Sequence, residues 1–178
     1  MRSLVASLLL LVALCASAQE ARDDATFAAW KQQNAAAVSE FHAHLATLEL
    51  HTVVELAQLL RSASSWQECS AEPYAVPPQE QWQSVESVLR LLKELTEKQI
   101  LGSFVVHSAY RNQDLNKCAG GASGSAHLRS FAIDLTPTGS EDVTAKLCSF
   151  WREQGRTWRM GFSRYPSGRL TCPHLPCQ

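Results

Sequence analysis

Residues 108–135 read SAYRNQDLNKCAGGASGSAHLRSFAIDL. The end of this stretch has a strand pattern: Phe131, Ile133 and Leu135 alternate with Ala132, Asp134 and Thr136. A pleated segment over 131–136 therefore turns its apolar residues one way and Asp134 the other. Ahead of it, Ala119 to Ser125 is rich in Gly and Ser and reads as a loop. His127 lies where loop passes into strand, seven residues before Asp134. An imidazole and a carboxylate are ligand types that catalytic zinc takes, with one position left for water. The glycines do not form a phosphate cradle, because the Lys-Ser/Thr ending of a P-loop is missing.

Working outward, Asp24 to Ala46 is rich in Ala, Gln and Glu and reads as helix, and Leu50, Val53, Val54, Ala57 and Leu60 recur at the spacing of one helical face. His42, His44 and His51 fall in this region. Residues two apart on a helix point to nearly opposite sides, so His42 and His44 do not close on one metal, and all three read as solvated. Cys69 to Pro78, with Pro73, Pro77 and Pro78, is an irregular connector. Gln79 to Lys98 forms an amphipathic helix through Trp82, Val85, Leu89 and Leu92, closed by Gly102, and Ser103 to His107 is a short strand. Ser140 caps a third helix, with Glu141 and Asp142 in its first turn, Val143, Leu147 and Trp151 on its buried face and Gly155 at its end. Thr157 to Phe162 reads as a further strand, and Pro166-Ser167-Gly168 as a turn. The expected fold class is α+β, a small antiparallel sheet with flanking helices, preceded by a helical arm.

Arg2, the apolar run Leu4 to Leu14 and the small residues Ala16-Ser17-Ala18 have the layout of a signal peptide over 1–18. The run is too short to span a bilayer. Cys15 raises a lipoprotein alternative, but Leu14 stands before it where a small residue is typical. The expected organisation is a leader at 1–18, a helical arm and connector at 19–78 and a site-bearing domain at 79–178. Sixteen basic residues stand against 17 acidic ones with no basic stripe, which argues against a nucleic-acid partner. Cys69, Cys118, Cys148, Cys172 and Cys177 remain after the leader, an odd number for an oxidising compartment, and their spacing leaves the pairing open.

Taken together, Ser108, Tyr110, Arg111, Asn116, Gly120, Gly121, Ser125, His127 and Asp134 stand in an order that resembles the zinc D-alanyl-D-alanine carboxypeptidases and related peptidoglycan metallopeptidases, whose fold is shared with the hedgehog signalling domain. The family pattern is Ser-Gly-Tyr-Arg, an Asn, a Gly-Gly pair, Ser-x-His, and Asp seven residues past the His. Looser resemblance runs from Trp82 to Gly168. It implies that His127 and Asp134 bind Zn2+, that Arg111 grips the carboxylate of a terminal D-alanine, that Ser125 contacts substrate, and that the partner is a peptidoglycan stem peptide in the periplasm or outside a bacterial cell. A planar guanidinium suits that grip, since it donates two parallel hydrogen bonds to a carboxylate.

Three positions depart from the pattern. Ala109 and Ser130 each stand where glycine is usual, and Thr171 occupies the place of the third ligand, a His. After Leu170 the chain runs Thr-Cys-Pro-His-Leu-Pro-Cys-Gln, which reads as an altered or truncated tail. His174, between Pro173 and Pro176, is a displaced third ligand or no ligand at all. The sequence does not assign a general base. Two functions remain in view: zinc-dependent hydrolysis of D-alanine-containing peptide bonds, as carboxypeptidase or endopeptidase, and a catalytically impaired cell-wall binding module on the same fold. The sequence is silent on oligomeric state.

Overall fold

The computed structural model describes residues 23–139, 143–164 and 170–172. The chain divides into two compact units, Met1–Val38 and Ser39–Gln178. The expected leader and the tail after Cys172 lie outside the described residues. Among the described residues no helix is long and apolar enough to cross a membrane.

The expected helix over Asp24–Ala46 is present as α1 (23–33) and α2 (Ala35–Thr47). They meet at Asn34, whose side-chain amide donates to the Trp30 carbonyl at 2.9 Å and competes with the backbone for it. The apolar spacing from Leu50 to Leu60 does not make the helix it suggests. Leu48 and Leu50 both return their N–H groups to Leu45, and Glu49 takes φ 57°, so the chain turns out of helical conformation. Leu50, Val54, Leu59 and Leu60 are buried all the same, but only Leu56–Leu59 (α3) is helical.

The connector from Cys69 to Pro78 is irregular, as its prolines require, and it belongs to the same compact unit as everything after it. Arg61 and Tyr74 form a β-bridge, Ser62 donates its N–H to Pro73, and a Cys69–Cys118 disulfide ties the connector to a later helix. A single 3-10 turn (Gln79–Gln81) leads into α4 (Trp82–Glu97), which buries Trp82, Val85, Val88, Leu89, Leu91, Leu92 and Leu95. Each fully buried Leu or Val is worth about 1.5–3 kcal/mol in area removed from water. α4 stops before the expected Gly102: Gln99 adopts φ 56°, and Ile100 and Leu101 both bond the Leu95 carbonyl.

The sheet contains β1 (Phe104–Ser108), β2 (Ile133–Pro137), β3 (Ser163–Arg164) and β4 (Leu170–Cys172), in the order β1-β2-β4-β3 with every neighbouring pair antiparallel. Two helices complete the unit, α5 (Gln113–Cys118) and α6 (Thr144–Gln154). This is the expected α+β architecture. Val143, Leu147 and Phe150 are buried, while Trp151 is half-buried with its indole N–H on the Met160 carbonyl. That bond, with Met160 N–H on Gly155, curls 155–160 back onto the end of α6. The strand expected at 157–162 is displaced for this reason and begins only at Ser163. Ser140, Glu141, Asp142 and the 166–168 turn lie outside the described residues.

The register positions the site. Between Val106 and Ser108 the β1–β2 pairing is interrupted by a bulge at His107, so Ser108 faces Asp134 across the ladder. On the other side of β2, Asp134 pairs with Thr171, and Thr171 with Ser163. One rank therefore crosses all four strands through Asp134.

Candidate metal centre

α5 and the glycines after it bring His127 to the sheet. Asn112 caps α5, its side chain accepting the Leu115 N–H at 2.8 Å. The helix ends in a Schellman arrangement: Gly120, at φ 74°, donates to Lys117, and Gly121 donates to Asn116. A Cβ on Gly121 would collide with the Asn116 side chain, whose amide nitrogen reaches on to the Ala122 carbonyl. The Gly-Gly pair is thus a helix stop followed by a close approach. A 3-10 turn, Ala126–Arg129, then carries His127, with Ser125 at its N-cap accepting the His127 N–H at 3.3 Å. In this arrangement Ser125, expected to contact substrate, serves the backbone of the turn.

Ser130, where the family pattern has glycine, closes that turn at φ 56°. A non-glycine residue there costs about 1–2 kcal/mol. It is buried, and its hydroxyl donates to the Gln81 carboxamide oxygen at 2.8 Å, which offsets part of the cost.

His127 and Asp134 come together as expected, both about 6% exposed. His127 Nδ1 lies 2.6 Å from the Ala109 carbonyl, an acceptor only, so Nδ1 carries a proton and Nε2 is the ring nitrogen left for a metal. Nε2 lies 3.3 Å from Asp134 Oδ1. Two ligands on one tetrahedral zinc, with bonds of about 2.0–2.2 Å, stand about 3.3–3.6 Å apart. The pair thus has the donor atoms, tautomer and separation that zinc takes from two ligands. Among the described residues no three His, Cys, Asp or Glu side chains gather to hold a metal. Position 171, directly opposite Asp134 in the β2–β4 register, is Thr.

Arg111, expected to grip a substrate carboxylate, is committed within the protein. Its Nη2 donates to Asp134 Oδ2 at 2.6 Å and its Nε to Ser108 Oγ at 2.8 Å, while its N–H bonds the His127 carbonyl. Ser108 is buried and donates in turn to the Ser62 carbonyl at 2.6 Å, and the Ser62 hydroxyl donates to the Glu72 carbonyl at 2.7 Å. Ala109 is fixed by its N–H on the Arg61 carbonyl. The shell around the metal pair thus reaches back to residues 61–72. The sequence shows little of this shell because carbonyl oxygens leave no side-chain signature, and α5 was not expected either, although Asn112 as a cap and Gly120-Gly121 as a stop are the signals that could have marked it.

Tyr110, beside Arg111, has a phenol pKa raised above its ordinary value, first by burial and then by the Glu80 charge. The three early histidines are not simply solvated. His44 Nε2 lies 2.8 Å from Glu86 Oε1 and its ring packs on Trp82, while His42 meets His51 edge-on at 5.6 Å. They take no part in the metal pair. Among the described residues Cys148 is a free thiol.

The family model for peptidase M15 matches residues 52–167, most of the chain. The chain belongs to the peptidase M15 family, and so to a family of metallopeptidases that are generally zinc-dependent. No curated protein matches the chain, and no solved structure does.

Proposed function

We propose that this chain is an exported zinc peptidase that hydrolyses D-alanine-containing peptide bonds in peptidoglycan stem peptides, with His127 and Asp134 as metal ligands. The observation that supports it is the 3.3 Å approach of His127 Nε2 to Asp134 Oδ1, with Nδ1 already committed to Ala109. Zinc bound there supplies Lewis acidity toward a peptide carbonyl and activates water for hydrolysis.

The chain's own residues do the rest. The Ala109 carbonyl holds the imidazole in its ligating tautomer. Arg111 takes one oxygen of Asp134 and leaves the other turned toward His127. Its Nη1 is the part of the fork that remains for a terminal carboxylate, so Arg111 orients the metal ligand and the substrate together. With Thr171 in the place of the third ligand, zinc affinity and turnover are low in the chain as it stands. The same substitution favours a second reading, a cell-wall binding module on this fold.

The test is release of D-alanine from a pentapeptide ending in D-alanyl-D-alanine, with zinc added. Slow, zinc-dependent release that disappears in His127→Ala is expected, and cleavage of cross-linked dimers instead would assign endopeptidase action. Absence of both products, with binding to cell-wall sacculi retained, would overturn the enzymatic reading and leave the binding module.

A further inference from the structure

A cavity of about 450 Å³ lies between α4 and the turns after α6; its walls include neither His127 nor Asp134, and Glu80, Gln83, Arg90, Phe131, Trp158 and Arg159 are among them. Its volume falls in the range of small-ligand sites, roughly 300–1,000 Å³. Phe131, at 45%, is the exposed large hydrophobic side chain among the described residues. It belongs to the segment that joins His127 to Asp134, and the residues after it, Ala132 to Leu135, are all buried. Two bonds hold this wall against the start of α4, Ser130 Oγ to Gln81 Oε1 at 2.8 Å and Gln81 Nε2 to the Leu128 carbonyl at 3.2 Å. On the opposite side Trp158 is half-buried. Trp158, Arg90 and Arg159, which line the cavity, make no side-chain hydrogen bond or ion pair among the described residues.

The chemistry of the walls narrows the ligand. An anion would meet Glu80, and a cation would meet Arg90 and Arg159. Charges of both signs, a neutral amide and two aromatic faces together suit a neutral ligand that is rich in hydroxyl and amide groups and has a flat apolar side. We propose that this cavity binds N-acetylated amino-sugar rings of a glycan chain, a choice of sugar that rests on the cell-wall reading above. Phe131 and Trp158 cover the C–H faces of the rings, Gln83, Arg90 and Arg159 donate to hydroxyl and acetamide oxygens, and Glu80 accepts from hydroxyls. The cavity is linked to the metal pair through the chain, because its wall residue Phe131 lies on the segment that joins His127 to Asp134. A glycan held there has its attached peptide within reach of the segment from Ala126 to Asp134.

The test is an NMR titration of the full chain, without zinc, with the trisaccharide of N-acetylglucosamine, following the Trp158 indole signal assigned by its loss in Trp158→Phe. A saturable shift at millimolar sugar is expected, with affinity reduced about tenfold in Phe131→Ala and again in Arg90→Gln. Both residues are exposed, so the melting temperature should not change. No shift, or binding that both variants leave intact, would overturn the proposal. So would a sugar-free stem peptide that moves the Trp158 signal when the trisaccharide does not. Because nothing is hydrolysed, release of D-alanine without sugar binding removes this inference alone, and sugar binding without hydrolysis removes only the enzymatic reading.

Discussion

On the β1–β2 side of the metal pair four polar side chains hold to the fold and to one another through one run of hydrogen bonds. His127 is fixed by Ala109, Asp134 by Arg111, Arg111 by Ser108, and Ser108 by Ser62. On the β4 side the backbone is equally in place, with Thr171 paired to Asp134 and Ser163, yet the residue there is not a ligand that catalytic zinc commonly takes. Sheet register is set by the ladder and the buried residues around it, such as Leu135 and Leu170, and depends little on which side chain position 171 carries. On the reading proposed above, the fold keeps a place opposite Asp134 for a third ligand that Thr171 does not supply.

The largest expected effect lies on the fully paired side. Asp134→Ala leaves the Arg111 guanidinium, 14% exposed, without its counter-charge and should cost about 3–5 kcal/mol in urea unfolding. A loss under about 1 kcal/mol would mean that the tight side of the comparison is ordinary surface pairing. Ser108→Ala comes next. It strips Arg111 Nε and the Ser62 carbonyl of one partner each and should cost about 1–3 kcal/mol, less than additively with Asp134→Ala. Simple additivity would deny that the residues act as one network.

Smaller again is Ser130→Ala, which keeps the left-handed backbone and loses the Gln81 bond, for about 1 kcal/mol. Ser130→Gly should be milder, because glycine removes the backbone cost. The reverse order, in thermal melts of the two variants, would show that the turn carrying His127 is not strained at Ser130.

The smallest effect is at Tyr110. Its folded pKa is raised, so the folded state keeps its proton at a pH where the unfolded chain has begun to lose it. That contribution to stability is complete below about pH 10 and fades as pH rises through the folded value. Absorbance titration should show one phenol ionising late, absent in Tyr110→Phe, and Glu80→Gln should move it slightly earlier.

Much of the paired side was legible in the sequence. The alternation at 131–136 placed Asp134 on a strand, although β2 begins only at Ile133, Phe131 is exposed rather than on the apolar face, and His127 sits on a 3-10 turn rather than in a loop. What was not legible depends on contacts between distant segments. Nothing local says that the Arg61 carbonyl fixes Ala109, or that Ser62 anchors Ser108, because these bonds join residues more than forty positions apart. The helical spacing at 50–60 misled because Leu50, Val54 and Leu60 reach the core from turns as readily as from a helix. The strand expected at 157–162 gave way to a tertiary bond, from the Trp151 indole to Met160. Thr171 was legible as a departure, and its place beside Asp134 emerged from the register.

Zinc affinity bears most directly on the two-sided site. It should be measured by chelator competition on the chain as it stands, on Thr171→His, and on Thr171→His combined with His127→Ala. Weak binding to the unaltered chain is expected, with a gain of about a hundredfold in Thr171→His that the added His127→Ala abolishes. Tight, stoichiometric zinc in the unaltered chain, lost on His174→Ala, would contradict it by placing the third ligand in the tail and not opposite Asp134.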